Sequence, residues 1–187
     1  MRPIILALAG ALAAGPTLAQ EPAAEPPLID RAVNNPRVSS WTVYGPGQSH
    51  QVIEAEVQGG QALQVEVTRA GANPWDAAAQ AFTADPIAAG DVMLLGVWLR
   101  SDTPGATVNI RLQGSDAPYP EIAAGTVSPG SEWKLWFAQG RADQAFVGGR
   151  ANASVQLAGA AQTVELGPVF IFDFGPDYDV ERLPTND

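Results

Sequence analysis

Apolar positions along this chain recur mainly at every second residue. Leu63, Val65 and Val67 alternate with Gln64, Glu66 and Thr68, and Val108, Ile110 and Leu112 alternate with Thr107, Asn109, Arg111 and Gln113. Trp133, Leu135 and Phe137 alternate with Lys134 and Trp136, and Ala153, Val155 and Leu157 with Ser154 and Gln156. A period of two puts one side of a strand in the core and the other toward water. Met93 to Leu99 is nearly continuous apolar chain and predicts a central strand. Turn signals separate the runs at Gly59-Gly60, Gly71 to Pro74, Ala89-Gly90, Thr103 to Gly105, Pro129-Gly130 and Gly148-Gly149. Helical periodicity is not sustained over ten residues anywhere, and Ala77 to Phe82 fits a short helix or a strand. Many short strands and frequent turns predict an all-β antiparallel sandwich.

One register follows from the pattern. Ile53, Ala55 and Val57 are expected to share a face with Leu63, Val65 and Val67. A two-residue loop at Gly59-Gly60 would put opposite faces together, because a one-residue slip flips every side chain. An odd-length loop instead pairs Val57 with Leu63, Ala55 with Val65 and Glu54 with Glu66, and sets Glu56 across from Gln64. Like charges directly opposite are destabilising, so this register calls for an arginine, a bound cation or solvent at Glu54 and Glu66.

Composition narrows the function. Cysteine is absent, which excludes disulfides and thiolate chemistry, and one histidine, His50, excludes the usual multi-histidine metal sites. Ten basic residues against 20 acidic give a net charge of −10, with Lys134 the only lysine. Phosphate backbones and anionic membranes repel such a chain, so nucleic acid is not an expected partner. Met1-Arg2, the apolar run Ile4 to Ala14 and the small residues Thr17-Leu18-Ala19 read as a secretory signal peptide, residues 1–19. The run is too short for a membrane span, which needs about 20 apolar residues. Residues 20–29 read as a Pro/Ala-rich spacer, 30–175 as one folded domain and 176–187 as a tail. The mature chain is expected to be secreted, periplasmic or extracellular.

From residue 30 to 175 the order of features resembles a known family. It runs through Ser40-Trp41, Gly60-Gln61-Ala62-Leu63-Gln64-Val65, Asn73-Pro74-Trp75-Asp76 and Pro86-Ile87-Ala88-Ala89-Gly90-Asp91. Val97-Trp98-Leu99-Arg100-Ser101, Pro118-Tyr119, Glu132-Trp133-Lys134 and Thr163 to Val169 complete it. The series resembles the carbohydrate-binding modules of the cellulose- and xylan-binding type, families four and nine, which are appendages of secreted bacterial glycosidases. That resemblance implies a galactose-binding-like jelly roll with a glycan groove on one concave sheet, and a structural calcium ion away from it. No attached catalytic domain is in evidence here, so the role of a polysaccharide-degrading enzyme's module does not carry over intact.

A glycan groove needs flat aromatic faces flanked by planar polar groups that read hydroxyls. The outward side of strand 107–113 offers Asn109, Arg111 and Gln113, and Tyr119 follows in a Pro-flanked loop. Trp75, in its turn, reads equally as a sugar platform or as a ring tucked over the sandwich rim. In the family an aromatic of the early loop reaches the groove, which points to Tyr44, with Trp41 in the core. Trp133 has the parity of core residues, and Trp136 is exposed or covered by a loop. Trp98 and Arg100 share a face. If residues 99 and 107 pair, that face is Arg111's, and the cost of burying an unpaired arginine favours this arrangement. The implied calcium ion, oxygen-liganded, points to Asn34, Asn35 and Asp173, which otherwise cap turns.

The carboxylates of Glu54 and Glu56 stand roughly 6–7 Å apart by strand rise, near the separation in inverting glycosidases, but such pairs occur on any acidic strand. Ser49-His50 lacks a nucleophile elbow. The sequence thus reads as a monomeric, free-standing, non-catalytic protein that binds a β-linked polysaccharide or oligosaccharide through Tyr44, Trp75, Arg100, Arg111, Gln113 and Tyr119. Two alternatives stand beside it. One is a structural or protein-interaction sandwich without a sugar site, and the other a small hydrolase using Glu54, Glu56 and Glu66.

Overall fold

A computed structural model describes residues 27–186. The expected leader 1–19, and the spacer up to residue 26, lie outside the described residues. Ten strands follow in chain order: β1 (Thr42–Tyr44), β2 (Gln48–Glu54), β3 (Gln61–Val67), β4 (Ala78–Phe82), β5 (Val92–Arg100), β6 (Val108–Gly114), β7 (Glu121–Val127), β8 (Lys134–Arg141), β9 (Ala151–Gln156) and β10 (Gln162–Asp173). All pairings between them are antiparallel, in the order β1-β4-β9-β6-β7-β8-β5-β10-β3-β2. The link between β7 and β8 is the single pair Ala123–Gly140. There the sheet folds over into two layers, β1-β4-β9-β6-β7 and β8-β5-β10-β3-β2, which make the antiparallel sandwich the alternation predicts, in the jelly-roll form the resemblance implies.

The main core lies between the layers. Val108, Ile110 and Leu112 of β6 meet Ala79, Ala81, Ala153 and Val155 from their own layer and Val65, Val97, Leu99 and Val164 from the other. Small alanines on β4 and β9 leave room for the larger side chains opposite. Ala78 to Phe82 is a strand, which settles the ambiguity of that segment.

β5 is apolar throughout because it has two covers. Met93, Leu95, Val97 and Leu99 face the main core, while Val92 and Leu94 face outward into a second cluster with Phe170, Phe172 and Leu183. Residues 174–186 supply that cover, so most of the segment expected to be a tail, 176–187, packs on the domain. Phe174, Tyr178 and Leu183 pack on it, and Asn186 clasps the backbone of Phe137 through both its amide nitrogen and its oxygen (2.8 and 2.7 Å).

Three expectations need correction. In β2–β3, Glu54 pairs with Gln61 and Glu66 with Ser49. β2 is an edge strand whose inward positions are not covered, so apolar matching never selects its register, and the expected Glu54–Glu66 opposition does not arise. On β8, Trp136 packs against the main core, and Phe137 belongs to the outer cluster. Both faces of β8 are partly covered, so parity alone inverted Trp133 and Trp136. Finally, β5 pairs with β8 and β10 and not with β6. Trp98 and Arg100 do share a face, but it is the outer face of the second layer.

Candidate functional site

The outward side of the first layer is a polar grid. Gln156 stands between Ala78 and Asn109, Ser154 between Gln80 and Arg111, and Asn152 between Phe82 and Gln113. Although they face away from the core, Asn152, Ser154 and Gln156 are at most 5% exposed, so this floor is recessed beneath its surroundings. Asn109 Nδ2 donates to Gln156 Oε1 (3.2 Å), and the Thr126 hydroxyl donates to Asn109 Oδ1 (2.9 Å). Arg111 makes an ion pair with Glu121 of β7. Arg111 Nε and Asn152 Oδ1 are buried without a hydrogen-bond partner.

Two loops raise the walls. Trp75 sits in a 3-10 turn, Pro74–Asp76, closed at its start by a capping box in which the Asn73 amide N–H donates to Asp76 Oδ2 (3.0 Å). This bond holds the Asp76 carboxyl below the usual carboxylate range. Tyr44, at the end of β1, is brought against the same turn through Gly45. That residue has φ +106°, and a Cβ on it would lie 2.0 Å from the Asp76 carbonyl oxygen, so only glycine permits the approach. On the other side Asp116 to Tyr119 forms a turn with a cis Ala117-Pro118 peptide, and the Tyr119 N–H donates to Asp116 O (2.7 Å). Gly114 lets this loop fold back, since a Cβ there would lie 2.8 Å from the Pro120 ring.

Tyr44, Trp75, Gln80, Arg111, Gln113, Ser115, Tyr119 and Gln156 line one cleft of about 750 Å³. Trp75 and Tyr119 are about half exposed. Tyr44 and Tyr119 line the same cleft, and burial, then the neighbouring Tyr119 and Asp76, push the Tyr44 hydroxyl above its usual pKa. Five residues named from sequence for glycan contact, Tyr44, Trp75, Arg111, Gln113 and Tyr119, therefore meet in one place. Arg100 does not join them. It lies on the second layer, where Nε is 2.8 Å from Glu165 Oε2 and the guanidinium stacks over Trp133 at 5.8 Å. Gln80 and Gln156 were not named from sequence. Gln156 falls on the outward parity of its strand and was legible in principle, whereas Gln80 became legible only once Ala78 to Phe82 was a strand.

The residues considered for calcium fit that ion poorly. Asn34 Nδ2 donates to Val169 O (3.0 Å) and its Oδ1 accepts from Ile171 N–H (2.8 Å), so its buried amide clasps β10. Asn35 is exposed. Asp173 Oδ1 accepts from Gly175 N–H (2.7 Å). Among the described residues, no group of three or more His, Cys, Asp or Glu side chains gathers as a metal site. Of the three carboxylates of the hydrolase alternative, Glu54 and Glu56 line one cleft beside Arg100 and Trp133, and Glu66 does not join them. Glu54 and Glu66 lie on opposite faces of the β2–β3 pair, and their pairing partners, Gln61 and Ser49, are far apart along it. His50 is exposed on β2 with Nδ1 3.0 Å from Gln48 Oε1.

The fold is a jelly-roll β-sandwich like that of carbohydrate-binding modules. Solved structures agree. The chain superposes on a family 4 carbohydrate-binding module (CBM4) with a TM-score of 0.56 and 17% identity, covering 72% of this chain and 95% of that one. It matches the Clostridium thermocellum endo-1,4-β-D-xylanase 10B, CBM22-1 and GH10 modules with xylohexaose, at TM-score 0.56 and 17% identity, over 79% of this chain and 28% of that one. An arabinose-bound GH51 α-L-arabinofuranosidase gives TM-score 0.56 and 14% identity, over 77% and 26%. The chain thus spans little more than a quarter of each of these two enzyme chains, and at such identities the likeness is one of fold. No family model matches the sequence, and no curated protein matches it. Among the described residues no helix is long and apolar enough to cross a membrane.

Proposed function

We propose that this protein is an exported carbohydrate-binding protein that takes a stretch of neutral, β-linked polysaccharide or oligosaccharide in the cleft between Trp75 and Tyr119. The observation that carries the reading is the convergence of exposed aromatic rings with fixed amides and a guanidinium over one recessed floor. Rings stack on the C–H faces of pyranoses, and forked donors and acceptors read their hydroxyls. Two buried polar atoms at that floor, Arg111 Nε and Asn152 Oδ1, are a donor and an acceptor that a hydroxyl-bearing partner suits. Glu121 already balances the charge of Arg111, so the cleft offers an acidic polymer no free cation. The relatives in fold whose names mention a xylan-degrading enzyme and xylohexaose support the β-linked class. Amides, a serine and an arginine line this cleft beside its three aromatic rings, which favours sugar binding over a sandwich that has lost its sugar site.

Affinity is expected to be weak, with a dissociation constant on the order of 10–100 μM. Calorimetric titration with xylo-, cello- and mixed-linkage oligosaccharides tests the reading, with Arg111→Ala and Tyr119→Ala as controls. Heat that shrinks in both variants supports it. Absence of heat with every glycan, or undiminished binding in both variants, overturns it.

A further inference from the structure

The two ends of the ten-strand sheet differ. β1 is a three-residue strand, too short to template another chain, whereas β2 presents seven residues. Natural sheets blunt long edges with proline, lysine, other charges or bulges, and Gln48-Ser49-His50-Gln51-Val52-Ile53-Glu54 has no proline, lysine or bulge and carries its one carboxylate, Glu54, at its last position. The backbone bonds at either end of the β2–β3 pair, Thr68 N to Gly47 O (3.1 Å) and Ala55 N to Gly60 O (3.1 Å), show that odd-numbered residues of β2 bond to β3. By the alternation of an antiparallel ladder, the N–H and C=O of Gln48, His50, Val52 and Glu54 point to the free edge. The side chains of these same residues occupy the inward parity of the second layer, opposite Val67, Val65, Leu63 and Gln61. The first layer does not cover them, and Val52 is 54% exposed.

From these facts we propose that β2 is a self-association edge, and that its partner is β2 of a second copy of this chain, paired antiparallel about a two-fold axis at Val52. Three registers use the outward backbone groups. An axis at His50 sets the two histidines against each other. An axis at Gln51 sets His50 against Val52. An axis at Val52 sets His50 against the partner's Glu54 and the partner's His50 against Glu54, with the two valines in contact between them. With the imidazole protonated, His50 and the partner's Glu54 are opposite charges across the strands, and an apolar pair is buried at the centre, so this register is favoured in mildly acid solution. In the imidazolium form Nδ1–H donates to Gln48 Oε1 (3.0 Å), and Nε2–H is left to donate to the partner's carboxylate. The chain's net charge of −10 opposes association, so the dimer is weak, with a dissociation constant on the order of 100 μM. A monomer is the expectation from sequence, and this edge overrides it at high concentration. The cleft lies on the other layer and stays open in the dimer.

Sedimentation velocity over a hundredfold concentration range, about 5–500 μM, in a mildly acid buffer in which a histidine side chain is charged, tests the proposal on the chain itself. The weight-average mass is expected to rise toward twice that of the monomer. Val52→Lys and His50→Glu, both at exposed positions, should each hold the chain monomeric with an unchanged circular dichroism spectrum. Adding Glu54→Lys to His50→Glu should restore the dimer by reversing both charges. A wild-type mass constant at the monomer value, or a dimer that survives Val52→Lys, overturns the proposal. Glycan titration reads the cleft separately, because neither variant touches it.

Discussion

Arg111 and Glu121 form an ion pair on the cleft face although they are not opposite each other in the sheet. Arg111 pairs with Ala124 and Glu121 with Gln113, and the bulge between Leu112 and Gln113 brings the carboxylate diagonally within reach. The bulge thereby aims the guanidinium along the floor and does not leave it free in solvent.

Loss of that aim has a measurable result. Glu121→Ala should weaken binding of a neutral oligosaccharide about three- to tenfold, roughly 1 kcal/mol, because Arg111 must then be ordered by the ligand. The same variant should gain affinity for an acidic glycan such as a uronic-acid oligomer. Paired calorimetric titrations check both signs.

The rings of Trp75 and Tyr119 stand on separate loops, so their contributions should be nearly independent. Each alanine replacement is expected to lower affinity about tenfold, and the double variant about a hundredfold. Quenching or a blue shift of tryptophan fluorescence on glycan addition should vanish in Trp75→Ala alone.

Gly45 holds Tyr44 against the Trp75 turn. Gly45→Ala would drive a Cβ into the Asp76 carbonyl at a positive φ, so it should destabilise the chain by about 2 kcal/mol or more and weaken binding together. Chemical denaturation and titration of the same sample measure the two effects.

Arg100 separates the two layers functionally. Arg100→Ala leaves Glu165, which is nearly buried and also accepts from Gln64 Nε2 at 3.3 Å, without its cation. It should cost about 1–2 kcal/mol of stability and leave glycan affinity unchanged. Reduced affinity in a folded Arg100→Ala protein would contradict the placement of the site.

Burial, and then the charge of Asp91, raise the Asp173 carboxyl above its usual pKa, partly offset by the Gly175 N–H and Arg31. The folded state therefore holds this proton more tightly than the unfolded chain. The favourable contribution is complete below the unfolded pKa of about 4 and is lost as pH rises through the folded value. Asp173→Asn keeps an acceptor for Gly175 and removes the charge. Its thermal midpoint should exceed the wild type's at pH 7 by a few degrees at most, with the difference closing in acid.

Strand periodicity made much of this protein legible from its residues. Leu63 to Val67, Val108 to Leu112 and Met93 to Leu99 are strands because local alternation, or continuous apolarity, records how each is buried. The outward parity of Arg111 and Gln113, and the turn chemistry around Trp75 and Tyr119, likewise singled out residues that share a cleft. Layer membership was not legible. Arg100 and Arg111 both follow apolar strand residues, and only the fold-over at Ala123–Gly140 sends them to opposite layers. The register of β2 and the facing of Trp133 and Trp136 were equally out of reach. Period-two reasoning assumes one wet and one dry side, whereas β2 is uncovered on its inward side and β8 is partly covered on both by distant chain. Alternation is a local property of neighbouring residues, and cover is supplied by segments far along the chain, 49 residues away in the case of Asn186 on Phe137, so the first is written in the sequence and the second appears only when the chain closes on itself.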